Sequence, residues 1–263
     1  MLHLRRWINR SRIRSKCSGT FRHSCWAMPY VRALKERPVI QNNLRAAFFD
    51  ADGVLIDSLP QHLRFCADKA REYGLRELQM PSVETFKQMV GRGVSASPML
   101  NFFLAVGFPA PQASRGVRDY QLQFMSHYRP DKYPGIDAML ARLANAGLSL
   151  GLVTSNIRAN IEPALSETMR FFDRRCVFYL DQFLEPRDKT WCLAESTRSL
   201  KLTPQQCLYV GDQPSDAAAA SIAGLSFLGV SYGWGLVPDK ARFPIVDNVS
   251  AVADKLLGSP DDQ

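Results

Sequence analysis

The chain has 263 residues, of which 46% are hydrophobic and 22% are charged, as expected for a globular protein with a buried core. It contains no run of eighteen apolar residues, so the composition excludes a typical transmembrane helix and we expect no membrane partner. Residues 1–45 hold eleven basic residues and one acid, which gives this segment a charge of +10. Because the whole chain has a net charge of +8, residues 46–263 carry a net charge of −2. The body of the protein is therefore not basic, and we expect no nucleic-acid partner.

Residues 1–43 are rich in Arg and Ser and contain one acid, Glu36, as is typical of organelle transit peptides. We predict a disordered basic extension or a transit-like segment, and a start codon assigned upstream of Met28 is the third interpretation. The six cysteines show no C-x-x-C pair, which favours reduced thiols. We therefore expect a cytoplasmic protein, or one of an organelle matrix if the segment is a transit peptide.

Five short apolar runs in the remaining sequence are predicted to be strands, because each ends at a turn or polar residue. They cover 44–49, 148–154, 176–180, 207–211 and 226–231. Helical spacing of apolar residues predicts helices over 136–147, 191–201 and 216–224. This alternation predicts the α/β class, with a Rossmann-like core in which a parallel sheet carries helices on both faces.

The interval between the first two predicted strands breaks this alternation. It has no strand pattern, and amphipathic spacing predicts helices over 60–75, 97–108 and 116–129. We therefore predict an all-helical cap at 59–130, inserted after the first strand. The core then consists of residues 44–58 and 131–257, followed by a short tail at 258–263.

Acidic and hydroxyl residues follow three of the predicted strands, and the carboxyl ends of parallel strands are where ligands bind in such sheets. The segments at these strand ends contain Asp50, Asp52 and Gly53 after the first strand, Thr154, Ser155 and Asn156 after the second, and Asp212 and Asp216 after the fourth. The carboxylates would repel one another unless a cation lay between them or one of them were protonated. Oxygen ligands without His or Cys favour a hard cation, and we expect Mg²⁺.

A metal ion with open coordination positions and a nearby hydroxyl-rich turn predict a phosphate site. Thr154 and Ser155 offer hydroxyls and backbone N–H groups at a strand-to-helix turn, which is a favourable position for an anion. Gly53 lets the backbone approach a ligand closely. Lys189, just before a predicted helix, is the best-placed cation to complete the charge balance.

Four segments carry a resemblance to a known family, namely FFDADGVLIDS (48–58), VTSN (153–156), Lys189 and YVGDQPSD (209–216). In this order they resemble the signature motifs of the haloacid dehalogenase-like hydrolase superfamily, and within it those of the phosphoglycolate phosphatase-like subgroup. The resemblance covers roughly residues 44–257. One departure is Thr190 after the lysine, where relatives usually have proline.

The resemblance implies a role for each motif residue. Asp50 would be the nucleophile that takes the phosphoryl group, Asp52 the general acid and base, and Lys189 the neutralising cation. Ser155, or Thr154 in its place, would bind the phosphoryl oxygens with the backbone amide of Asn156. The implied metal ligands are Asp50, Asp212, Asp52 through its carbonyl oxygen, and Asp216 as a ligand or a support for one.

Within the predicted cap, the segment VGRGVS (90–95) is a glycine-flanked loop that carries Arg92. A helical lid could place this arginine on a distal anionic group of the substrate, and a solvated loop arginine is the alternative interpretation. We expect His62, Tyr232 and Trp234 to pack rather than to bind substrate.

The resemblance implies an enzyme, a Mg²⁺-dependent phosphatase (phosphoric monoester hydrolase) that acts on a small phosphorylated substrate through an aspartyl-phosphate. Phosphoglycolate is the lead substrate. The alternatives are a sugar phosphate, a nucleotide or pyrophosphate as substrate, a phosphomutase, or a non-catalytic binding protein on the same fold. The sequence leaves the natural substrate and the oligomeric state open.

Overall fold

Most of the predicted core and cap is described by the structure, a computed structural model that covers residues 43–179, 187–236 and 241–258. The predictions for residues 1–42, for Leu180 and for the tail beyond residue 258 lie outside the described residues. Within these ranges, none of the helices has both the length and the apolar character required to cross a membrane.

A six-stranded parallel sheet lies at the centre of the described residues. The strands, in chain order, are β1 (Ala46–Phe49), β2 (Ile56–Asp57), β3 (Asp131–Lys132), β4 (Ser149–Val153), β5 (Phe172–Phe178), β6 (Cys207–Gly211), β7 (Ser226–Val230) and β8 (Ile245–Val246). The order across the sheet is β5-β4-β1-β6-β7-β8, and every neighbouring pair is parallel. Because β1 is central, the residues that follow β4, β1 and β6 emerge side by side at one edge.

Helices cover both faces of this sheet, and a further group lies between β2 and β3 in the chain. The helices are α1 (Leu59–Glu72), α2 (Val83–Gly91), α3 (Met99–Ala105), α4 (Ala110–His127), α5 (Ile136–Asn145), α6 (Arg158–Leu165), α7 (Lys189–Ser199), α8 (Pro214–Ala223) and α9 (Val249–Leu257). Alternate residues of β1 face opposite sides. Ala47 and Phe49 pack with α5 and α9, whereas Ala46 and Phe48 pack with α7 and α8. The structure therefore has the predicted fold class.

Several elements differ from those predicted. β5 begins at Phe172 rather than at Cys176, because this edge strand starts in a charged segment whose Arg174 and Arg175 are exposed. Helices α2, α6 and α9 were absent from the sequence prediction. A cap signal could have revealed α2, since the Ser82 hydroxyl accepts a hydrogen bond from the N–H of Thr85 at its start.

The helices α1 to α4 pack around a hydrophobic cluster of their own. Its fully buried aromatic members are Phe65, Phe86, Phe102, Phe103 and Phe124. Below them, β2 pairs antiparallel with β3, with Asp57 opposite Asp131, so the two ends of the helical segment lie side by side. These two features support the predicted division of the chain into a core and a cap at 59–130, which we retain as a proposal.

Candidate active site

Three buried carboxylates converge at the carboxyl ends of β1 and β6. Asp50 follows β1, Asp212 follows β6, and Asp216 lies in the first turn of α8. Their exposed fractions are 5%, 0% and 1%, and one oxygen from each lies within 4.8 Å of the others. Burial, with the two neighbouring carboxylates, raises the pKa of Asp212 well above its ordinary value. Burial also raises the pKa of Asp50 to about 7, against the opposing effect of Lys189.

The ammonium group of Lys189 lies between two of these carboxylates. Its Nζ donates to Oδ2 of Asp50 over 2.9 Å and to Oδ1 of Asp216 over 2.6 Å. Lys189 is the first residue of α7, and Asp188 caps this helix by accepting the N–H of Trp191. Burial disfavours the ammonium charge, but the two carboxylates outweigh burial and raise the pKa of Lys189. The structure thus brings the predicted lysine together with the predicted acids.

The carboxylate of Asp52 takes part in a separate hydrogen-bonded ring. Its Oδ1 accepts from the Ser58 hydroxyl, and its Oδ2 accepts from Nδ2 of Asn156 over 2.8 Å. The Asn156 amide also donates to the Tyr120 hydroxyl over 3.0 Å, and that hydroxyl lies 2.9 Å from Nε2 of His62. Nδ1 of His62 lies 2.6 Å from the carbonyl oxygen of Ser58, which closes the ring.

The two cap residues of this ring, His62 of α1 and Tyr120 of α4, were missed as functional candidates. Because a carbonyl oxygen only accepts, His62 carries its proton on Nδ1, and its Nε2 accepts from the Tyr120 hydroxyl. Burial lowers the pKa of His62, against the opposing effect of Asp52, so the imidazole is neutral. The two residues are 58 positions apart in the sequence, and no local pattern indicates that they meet.

The turn after β4 contributes two hydroxyl groups, those of Thr154 and Ser155, and both residues line the cavity described below. The Thr154 hydroxyl accepts the backbone N–H of Asn156 over 3.1 Å, so this N–H and one acceptor position of the hydroxyl oxygen are used within the turn. The Ser155 side chain lines the cavity described below, and within the described ranges its hydroxyl has no hydrogen-bond partner. Of the two hydroxyls that the sequence left open as phosphoryl ligands, the structure therefore favours Ser155.

Gly53 has a left-handed backbone and packs tightly against Asp212. Its φ is +78°, and a Cβ atom at this position would lie only 2.0 Å from Oδ2 of Asp212. The same oxygen accepts the backbone N–H of Trp234 over 2.6 Å. The sequence predicted a close approach of Gly53 to substrate, whereas here it approaches the Asp212 side chain and is not among the described residues that line the cavity.

A cavity of about 180 Å³ lies between these groups and the cap helices. The predicted site residues in its lining are Asp50, Asp52, Thr154, Ser155, Asn156, Lys189 and Asp216. The described part of the lining does not include Arg92, which is exposed at the end of α2. The position of Arg92 therefore does not support a contact with substrate. It agrees with the alternative interpretation, a solvated arginine. Trp234 packs in the cap cluster, as expected, and also lines the cavity.

The residues of the carboxylate cluster fit a divalent cation. Oδ1 of Asp212 is buried and has no hydrogen-bond partner within the described ranges, while oxygens of Asp50 and Asp216 lie close by. A buried carboxylate oxygen without a partner is costly unless a positive charge faces it. All three donors are oxygens, which hard cations such as Mg²⁺ prefer.

The six-stranded parallel sheet, flanked by helices and carrying a cluster of buried aspartates at the ends of β1 and β6, defines a Rossmann-like α/β protein. The chain belongs to the haloacid dehalogenase-like hydrolase family, whose model matches residues 47–230. The resemblance stated from the sequence motifs is thereby confirmed, and so is the prediction that the protein is a hydrolase of this family.

Relatives of known name and structure agree with this placement. The phosphoglycolate phosphatase of Rhodospirillum rubrum is 30% identical over 227 residues, which cover 82% of this chain and 92% of the relative. That of Pseudomonas putida is 30% identical over 200 residues, which cover 72% of this chain and 70% of the relative. A haloacid dehalogenase-like hydrolase from Streptococcus pneumoniae has the same fold, with a TM-score of 0.66 at 20% identity over 81% of this chain and 99% of its own. The predicted fold class is confirmed.

Proposed function

We propose that the protein is a Mg²⁺-dependent phosphatase that cleaves a small phosphate monoester through an aspartyl-phosphate on Asp50. The observation that carries this proposal is the position of Asp50, which lines the cavity, contacts Lys189 and shares a cation-binding cluster with Asp212 and Asp216. Phosphoryl transfer depends mainly on positioning and on neutralising charge. This arrangement supports both requirements.

Asp50 rather than Asp216 is the proposed nucleophile. Oδ2 of Asp216 accepts the backbone N–H groups of Asp212 and Gln213, and its Oδ1 accepts from Lys189. Asp216 thus accepts three hydrogen bonds, whereas Asp50 accepts two, from Lys189 and from the backbone N–H of Ala51. A carboxylate oxygen of Asp50 would attack phosphorus and displace the ester oxygen, and water would then hydrolyse the resulting aspartyl-phosphate.

Asp52 is the proposed general acid and base. It lies two residues after Asp50, lines the same cavity, and is held by Ser58 and Asn156. It would give a proton to the departing ester oxygen and later take one from the water that attacks the aspartyl-phosphate. The protons therefore balance over one turnover.

The positive charge of the site would come from two sources. Asp50, Asp212 and Asp216 would hold Mg²⁺, with the carbonyl oxygen of Asp52 as the family resemblance implies. When bound, the ion would neutralise part of the charge on the phosphoryl oxygens. The ammonium group of Lys189 would supply a second positive charge beside Asp50, and the Ser155 hydroxyl would donate to a phosphoryl oxygen.

The names of the two relatives make phosphoglycolate the first ester to test on this chain. A non-catalytic binding protein on the same fold is the competing function. It predicts that the protein keeps its role when Asp50 is replaced, whereas the phosphatase proposal predicts that the role is lost.

The test is phosphate release from phosphoglycolate and from a panel of phosphate monoesters whose alcohol part is either neutral or anionic. Each ester is assayed with Mg²⁺ and with EDTA. We expect Mg²⁺-dependent release that falls by about 10³-fold or more in Asp50→Asn, because the amide is not a nucleophile. Asp57→Asn is the matched control. Asp57 belongs to the same sequence motif and contacts the Tyr133 hydroxyl, but it is not among the described residues that line the cavity.

Equal losses in the two variants would contradict the assignment of Asp50 as the nucleophile. A natively folded wild-type protein that releases no phosphate from any ester in Mg²⁺ would refute the phosphatase proposal and favour the non-catalytic alternative. Circular dichroism on each protein shows whether the fold is intact.

A further inference from the structure

The cavity has two chemically different ends. The core end holds the carboxylates and Lys189. The cap end is lined by the apolar side chains of Ala96, Met99 and Val117 and by the neutral polar side chains of Ser97 and Gln121. If the phosphoryl group lies at the core end, the organic part of the ester faces this uncharged wall.

The described charges of the lining all lie at the core end. The acids are Asp50, Asp52 and Asp216, and the cation beside them is Lys189. Lys189 donates to two of these carboxylates, so its charge is already committed there. The cap end therefore presents methyl, methylene, hydroxyl and amide groups to the substrate.

Three titratable or basic residues near the cap end, His62, Arg118 and Arg92, add no positive charge to its described lining. His62 also lines the cavity, and burial lowers the pKa of its imidazole, which favours the uncharged form over a cation. Arg118 follows Val117 on α4 and is exposed, outside the described lining. Arg92 is likewise exposed at the end of α2.

We infer that the alcohol released by this enzyme is small and uncharged, a short diol or polyol rather than a hydroxy acid. This inference rests on the proposed phosphatase function. A carboxylate against Met99 and Val117 would find no cation in the described lining of the cap end to balance its charge. A neutral alcohol instead packs its methylene groups on these side chains and hydrogen-bonds to Gln121 and Ser97.

A matched pair of esters tests this inference. Phosphoglycolate and 2-hydroxyethyl phosphate have the same number of carbons and differ in a carboxylate against a hydroxymethyl group. We expect kcat/KM to be higher for 2-hydroxyethyl phosphate by about tenfold or more. Dissociation constants of both esters for Asp50→Asn, measured by calorimetry, give the same comparison without turnover, and we expect the same order.

A positive charge added to the cap wall should reduce or abolish this preference for the neutral ester. Gln121→Arg places a cation at the cap end, so kcat/KM for phosphoglycolate should rise relative to 2-hydroxyethyl phosphate by about tenfold. Leu122→Arg is the control, since Leu122 is the next residue of α4, is 80% exposed and is not among the described residues that line the cavity. It adds the same charge and should leave the ratio unchanged.

The outcomes separate the inference from the function on which it rests. The inference of a neutral alcohol is overturned if the wild type prefers phosphoglycolate. It is also overturned if the ratio of kcat/KM for the two esters is the same in Gln121→Arg and Leu122→Arg. Neither result contradicts the proposed phosphatase function. Absence of turnover on every ester overturns the proposed function and this inference together. A wild-type preference for the neutral ester that falls in Gln121→Arg but not in Leu122→Arg supports both.

Discussion

Replacement of Gly53 by alanine should damage the carboxylate cluster through a single methyl group. Two costs add at this position. The φ of +78° places a side chain in the left-handed region, which costs about 1–2 kcal/mol for a residue other than glycine. The added Cβ would also lie 2.0 Å from Oδ2 of Asp212 and 2.7 Å from Cδ1 of Trp234.

Neither of these neighbours can move away easily. Asp212 is fully buried and holds the backbone N–H of Trp234, which itself is only 4% exposed. Overpacking of this kind typically costs about 1–3 kcal/mol. For Gly53→Ala we therefore expect the free energy of unfolding to fall by about 2–5 kcal/mol, which is a large part of the total stability of an ordinary domain.

Gly74→Ala separates the two costs. Gly74 has a φ of +74°, but a Cβ there would meet nothing within 4 Å. This variant should lose only about 1–2 kcal/mol, the cost of the backbone conformation alone. Urea unfolding followed by circular dichroism gives both values.

Mg²⁺ adds a second measurement, because an ion that binds only the native state raises the urea midpoint. The increase should be the same in wild type and Gly74→Ala. It should be smaller in Gly53→Ala, because the Asp212 carboxylate must move. If the two variants lose the same stability and respond equally to Mg²⁺, the contact with Asp212 has no energetic role and the reasoning is wrong.

Three other substitutions test the site. Lys189→Met leaves Asp50 and Asp216 without their buried cation, so we expect a loss of about 3–5 kcal/mol in urea unfolding together with loss of phosphate release; an unchanged unfolding free energy would contradict the pairing. Tyr120→Phe removes the hydroxyl that bridges the ring around the proposed acid, and we expect kcat to fall about tenfold; a wild-type kcat would show that the ring does not position the acid. Burial lowers the pKa of His62 below its ordinary value of 6.5, so on acidification the unfolded state takes up the proton first and stability falls below that pH. His62→Gln should flatten this slope in urea unfolding between about pH 5 and 7, and an unaltered slope would exclude His62 as its origin.

The core half of the site could be predicted because most of its acids and hydroxyls come shortly after the ends of β1, β4 and β6. In the parallel register, Phe49 at the end of β1 lies opposite Leu152 of β4 and Val210 of β6. We can therefore predict that the residues that come next in the three segments lie close together, even when the loop conformations are unknown. A continuous apolar run followed by an acid or a hydroxyl is a local signal, and the sheet geometry converts it into proximity.

The cap half could not be predicted, because its contacts depend on how helices pack. His62 is an ordinary helix residue until α1 and α4 place it 2.9 Å from the Tyr120 hydroxyl. The amphipathic pattern locates the helices but not their crossing angle or their partners. Arg92 is the opposite case, since its glycine-flanked position left a substrate contact and a solvated arginine both open, and in the structure it is exposed at a helix end.

In the proposed mechanism, helix α4 would link substrate recognition to proton transfer by Asp52. Val117 and Gln121, four residues apart, line the cap end of the cavity, and Tyr120 between them donates to His62 and accepts from Asn156, which holds Asp52. A shift of this helix to fit a different alcohol would therefore also move the hydroxyl on which the ring around Asp52 depends. Selectivity can change without that consequence only at a position such as Gln121, whose side chain lines the cavity but takes no part in the ring. The geometry thus predicts that most substitutions along this face of α4 lower kcat as well as changing KM, whereas Gln121→Arg changes the preference alone.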